Sequence, residues 1–186
     1  MSTRSTPNHY VWETDTVPDG QVLAAVRRGL GRDAGTVPSL WGHYRNLTPS
    51  GRISPWLTAE HLAMGLYGLH QQSQRFCVHA SGERLGNAVQ RLHKRFSVDA
   101  VNTRFGAAAT APSAAGAAYH LRGLITQMRS LDRVPSIDYT QLVSDLRAID
   151  LGGDEATATR LHWAAAYLHD PAKSVPLAKG DPPAQS

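Results

Sequence analysis

Apolar residues recur three and four positions apart in nearly every segment, and no run alternates apolar with polar as a half-buried strand would. The pattern predicts an all-α fold. Asp19 is placed to cap a first helix that turns Leu23, Val26 and Leu30 inward and sends Arg27 and Arg28 out beside that stripe, before Gly29 and Gly31 loosen it. A short helix over 38–47 would bury Leu40, Trp41 and Tyr44. Thr58 suits the cap of a longer helix, with Leu62, Leu66, Leu69 and Phe76 on one face and His70, Gln71, Gln72 and Arg75 toward its exposed end.

Beyond a turn at Ser81 and Gly82, Leu85, Ala88, Val89, Leu92 and Phe96 define a further core stripe. Arg84, Arg91 and Lys94 or Arg95 repeat at helical spacing beside it, so this helix is expected to carry a basic face. Val98, Val101 and Phe105 suggest another short helix. Pro112 interrupts the Ala-rich stretch that follows and is expected in the first turn of the next helix. That helix would bury Leu121, Leu124, Ile125, Met128 and Leu131 and present Arg122, Arg129 and Arg133 as a second basic stripe. Residues 138–150 read as an amphipathic helix through Tyr139, Leu142, Val143 and Leu146, and Gly152-Gly153 separates it from a last helix over 154–169.

The chain's 186 residues, 41% of them apolar, are enough for one substantial core. Residues 171–186 hold four prolines and few large apolar side chains, so a disordered tail is expected there, and a flexible segment over 1–15. No apolar run approaches the roughly 18 to 20 residues needed to span a bilayer, and residues 1–7 are polar, unlike a signal peptide. A cytoplasmic protein with no membrane partner is the expectation. Its single cysteine, Cys77, can form no internal disulfide.

Charge changes the picture more than composition does. The net charge of +4 conceals a central segment, from Arg27 to Arg133, with 13 Arg and one Lys against five acidic residues. Both flanks are acidic. Positive charge carried almost wholly by arginine favours bidentate contact with phosphates or carboxylates.

The nine histidines invite a metal or catalytic reading, but none of their spacings supports one. His61 and His70, nine residues apart on one helix, fall on opposite faces at about 100° per residue. Cys77 and His79 lack a second nearby pair for structural zinc. Gly29-Leu30-Gly31-Arg32-Asp33-Ala34-Gly35 superficially matches a phosphate loop, yet it follows a helix and reads better as a helix end and turn. No serine or Cys77 has a poised base beside it, and Asp33, Glu60, Glu83, Asp99 and Asp132 form no pair at i, i+3 or i+4 that could hold Mg²⁺. We therefore expect no catalytic residues, no metal and no cofactor.

What remains is arginine on helical faces, which neutralises phosphates without reading bases. The aromatics lie mainly at core spacing, with Trp56 or Tyr119 as the rings left for stacking. A helical transcription regulator is the rival reading, but no segment clearly forms a helix-turn-helix.

The order of elements resembles the CasB family, the small subunit of the type I-E CRISPR Cascade complex, over residues 20–170. The resemblance is carried by Leu23-Ala24-Ala25-Val26-Arg27-Arg28-Gly29-Leu30-Gly31-Arg32, Pro38-Ser39-Leu40-Trp41, Tyr67-Gly68-Leu69-His70-Gln71-Gln72, Leu85-Gly86-Asn87-Ala88-Val89, Arg104-Phe105, His120-Leu121-Arg122-Gly123-Leu124 and Asp138-Tyr139-Thr140-Gln141-Leu142. It implies two small helical bundles packed together, taken here as 16–110 and 111–170, and no catalytic activity. It also implies partners: other Cascade subunits, a second copy of the chain packed head to tail, and the backbones of the crRNA, target DNA and displaced single strand. The basic positions inside the matching motifs are Arg27, Arg28, Arg32, Arg104, His120 and Arg122. Arg91, Lys94, Arg95 and Arg129 join them on periodicity alone. The Ala-rich final helix, Leu161 to Tyr167, departs from the more aromatic and basic one the resemblance implies.

Overall fold

Residues set just ahead of the apolar stripes fix where the helices begin. In the structure, a computed structural model describing residues 7–14 and 16–169, Asp19 Oδ1 accepts the Gln21 amide at 2.7 Å and starts α1 (Gly20–Gly29). Ser54, rather than Thr58, caps α2 (Pro55–Gln71), its hydroxyl accepting the Leu57 amide at 3.1 Å, with Pro55 in the first turn. After α3 (Leu85–Gln90) and α4 (Val98–Ala109), Ser113 caps α5 (Ala114–Met128). Pro112 lies in the loop before that cap, outside the helix. Asp138 starts α6 (Tyr139–Leu151), and Gly152, at φ +75°, turns the chain into α7 (Gly153–Leu168).

No strand forms among the described residues; His79 and Ile137 make an isolated parallel bridge. The molecule is all-α. Helix α2 is its centre, packed against α1, α5 and α6, while α4 lies on α5 and α3 on α7. Because neighbours surround α2, its polar residues are buried with its apolar ones: Glu60, His61, His70 and Gln71 are each at most 2% exposed. His70 and Gln71, expected at an exposed end, are thus core residues. Gln71 holds the following loop, donating to Phe76 O at 2.7 Å and accepting from Val78 N at 3.0 Å.

Three further expectations are corrected. The segment Pro38–His43 is a 3₁₀ turn that buries Leu40 and leaves Trp41 exposed. Helix α3 ends at Gln90 and a 3₁₀ turn takes over across Arg91–Lys94, so Arg84, Arg91 and Arg95 do not share one helical stripe. Finally, residues 7–14 are docked, not flexible. Trp12 is fully buried, stacked on Tyr10 at 4.9 Å and tilted against Tyr67 and Tyr139, and it donates to Thr140 Oγ1 at 3.0 Å. The expected tail over 171–186 lies outside the described residues.

Candidate nucleic-acid interface

Helix α1 approaches α2 at backbone distance because glycines admit it. A Cβ on Gly68 would stand 2.7 Å from Val26 Cγ2 and 3.1 Å from Arg27 Cγ, and one on Gly65 would stand 3.2 Å from Leu30 Cα. Leu30 therefore sits over Gly65, and the half-buried stem of Arg27 over Gly68 one turn along. After Gly29 the chain turns sharply through Gly31, whose φ of +78° favours glycine.

His61 fixes that turn from below. Its Nε2–H donates to the carbonyls of Arg32, at 2.7 Å, and Gly29, at 3.1 Å, while Nδ1 accepts the Tyr44 hydroxyl at 2.7 Å. Burial lowers the imidazole's pKa from its ordinary value, against a smaller opposing effect of the two carbonyls. The result is a neutral buried clamp that leaves the exposed Arg32 side chain pointing away from a fixed backbone.

Arg122 comes to the same place from 90 residues further along the chain. It is exposed on α5, and its Nη1 would stand 3.9 Å from a Cβ at Gly31. Arg32, Arg122 and the exposed Tyr119 line a recess of about 240 Å³ between the 29–33 turn, the middle of α2 and the first half of α5. Asp33 is the acidic residue in that lining. Neither arginine makes an ion pair among the described residues. Like charges held together without acidic partners cost stability, and such an arrangement suits an anionic ligand.

The other basic residues are distributed as follows. Arg28 is exposed on α1, in the last turn, where the helix dipole favours positive charge. Arg129, half-buried two turns beyond Arg122, donates to Gln72 O at 3.4 Å near the end of α2. Arg91 pairs with Glu83 at 3.7 Å, and Arg95 donates to Ser130 O at the end of α5. Lys94 and Arg104 are exposed, and His120 meets Tyr119 edge to face at 5.3 Å. The structure thus brings Arg32 and Arg122 together, with Arg27 a turn away. It sets Arg91, Lys94, Arg95 and Arg104 on and around the 91–104 segment, two of them already engaged within the fold. Among the described residues no three His, Cys, Asp or Glu side chains gather as a metal site would require.

His61 escaped sequence reasoning because its partners lie 17, 29 and 32 positions away. Gly65 and Gly68 were the available signal. Small residues one turn apart on a helix mark a line of close approach, and α1 with its arginines lies on that line.

Compared with known proteins, residues 22–168 match the family model for CRISPR-associated protein Cse2. Among solved structures, CasB from Thermobifida fusca is 28% identical, with 78% of this chain and 82% of that one covered at a TM-score of 0.62. M. ruber CasB is 24% identical over 86% of this chain and 88% of that one, also at 0.62. A chain of a CRISPR RNA-guided surveillance complex is 22% identical over 82% and 86%, at 0.59. No curated protein matched the chain by sequence.

Proposed function

The chain belongs to the Cse2 family of CRISPR-associated proteins, and from that footing we propose that it is the non-catalytic small subunit of a type I-E Cascade complex. In this role it packs with the other subunits and a second copy of itself. It holds the backbones of guide RNA and target DNA and gives the displaced strand a basic path. Guide pairing supplies sequence specificity, so such a subunit needs only to bind backbone charge and shape.

One observation carries the reading: Arg32 and Arg122, remote in sequence, flank one recess without acidic partners of their own. Arg27, over Gly68 one turn from Gly65 of the recess, extends the positive region along α1. A phosphate bridged by two guanidiniums exchanges condensed counterions for protein contacts, and its hold weakens as salt rises.

The test is target retention by the assembled complex, measured across a salt series. Arg32→Ala with Arg122→Ala should weaken retention and lower the slope of log affinity against log salt by roughly 0.7–0.9, the value for the one phosphate they bridge. Unchanged affinity and slope would overturn the reading.

A further inference from the structure

We propose that the recess between the 29–33 turn and α5 takes one unpaired nucleotide, its phosphate between Arg32 and Arg122 and its base stacked on Tyr119. This rests on the preceding reading and adds a preference that backbone binding lacks, for a strand whose bases are free.

Tyr119 is 74% exposed, and each other large ring at the surface is less available. Trp56 is 38% exposed and already carries the Arg147 guanidinium at 4.7 Å from its centroid. Trp41 is tied by its indole N–H to Gly35 O at 2.8 Å, and Phe76 is only 46% exposed. An exposed aromatic with no partner above it forfeits apolar contact in the free protein, and a flat ligand would restore it.

The surroundings of the ring suit a planar guest. Ala115 and Gly123 lie one turn away on either side of Tyr119 along the exposed face of α5, and a Cβ on Gly123 would meet nothing within 4 Å. At these two positions no bulky side chain shields the ring. His120 meets it edge to face, which braces the ring while leaving a face open. Arg122, three residues on along α5, and Arg32 line the same recess as Tyr119. With Asp33 also in the lining, the recess keeps one net positive charge, since burial holds His61 neutral. Its volume of about 240 Å³ is below the roughly 300 Å³ at which pockets for drug-sized ligands begin. That suits a single base and phosphate.

Aromatic stacking beside a basic groove is how single-stranded nucleic acid is held without reading sequence, because every base has a π-face. A duplex keeps its bases stacked inside and offers Tyr119 nothing comparable. The site thus distinguishes an opened strand from a closed duplex of equal charge.

The experiment uses the complete reconstituted complex and bubble DNA whose displaced strand is unpaired beforehand. That strand carries either ordinary nucleotides or abasic sugar-phosphates in short windows stepped along its length. For the native protein, one window should weaken binding about tenfold when made abasic. Tyr119→Ala should abolish that difference and Tyr119→Phe should preserve it. If no abasic window changes binding by the native complex, or if Tyr119→Ala leaves the difference in place, stacking at Tyr119 is overturned. That failure is separable from failure of the backbone reading, which would show instead as unaltered salt dependence in the Arg32 and Arg122 double variant.

Discussion

The imidazole of His61 holds the carbonyl of Arg32 at 2.7 Å, so a side chain buried in α2 fixes the backbone from which an exposed arginine projects. His61→Ala would leave the Arg32 and Gly29 carbonyls and the Tyr44 hydroxyl without this partner, at a cost of about 2–4 kcal/mol. Amide hydrogen exchange should accelerate across residues 29–35, and target retention should fall although every arginine remains. Unchanged exchange there would show that the turn holds itself.

The glycines divide into two groups. At Gly86 a Cβ would stand 2.5 Å from both Trp163 O and Tyr167 N, backbone atoms of α7 that have no rotamer to escape into. Gly86→Ala should therefore force α3 and α7 apart and destabilise by about 1–3 kcal/mol or more. Gly106, inside α4 with nothing within 4 Å of its Cβ position, should behave oppositely, Gly106→Ala stabilising by about 0.5–1 kcal/mol. Urea unfolding of the two variants checks both signs.

His70 is fully buried, with Nδ1 2.9 Å from the Tyr139 hydroxyl. Burial, aided by the Arg129 charge, lowers its pKa to about 3. The folded state therefore refuses a proton that the unfolded chain accepts near pH 6.5, and stability falls as pH drops below that value. The contribution approaches about 1.4 kcal/mol per pH unit well below 6.5. Burial raises Glu60 and Asp145, whose effect is opposite in sign, so the change in slope on replacing His70, not the slope itself, reports this histidine. His61 and His79 are lowered as well and add to the slope. His70→Asn should flatten the dependence of unfolding free energy on pH, whatever it does to the absolute value; an unchanged slope would show that His70 titrates normally.

Trp12 ties the start of the chain to α6 through Thr140, and Glu13 accepts the Thr140 hydroxyl at 2.8 Å beside it. Trp12→Ala should destabilise the whole domain by about 3–5 kcal/mol, in a single transition, because the cavity opens onto Tyr67 and Tyr139 in the main core. Loss of Trp12 without change in the midpoint would mean that the segment docks independently of the core.

What the sequence revealed follows from the range of each interaction. Asp19 and Asp138 were readable as helix starts because a cap acts on an amide two or three residues away. The stripe Leu121, Leu124, Ile125 and Met128 was readable because one face of α5 is buried. Periodicity misled for α2, where a helix with neighbours on several sides has no outer face on which to leave His70 or Gln71. It misled again at Arg91, since the change from α to 3₁₀ alters the angle per residue. Trp12 lies 128 positions from Thr140 and within a polar opening segment, so no local pattern marked it as core. For the interface, the individual arginines were legible as exposed charge. That Arg32 and Arg122 meet depends on how α1 and α5 settle on α2, which no window of either helix records.

The positive residues on and beside that recess, Arg27, Arg32 and Arg122, include no lysine. Acetylation of an ε-amine, a common means of cancelling a protein's positive charge, has nothing to act on there. The surrounding electrolyte is left as the chief control, its screening length shrinking from about 10 Å at 0.1 M to about 3 Å at 1 M. A protein built in this way cannot be silenced by acylating enzymes at this surface; its grip is graded by salt and by competition among the polyanions that reach it.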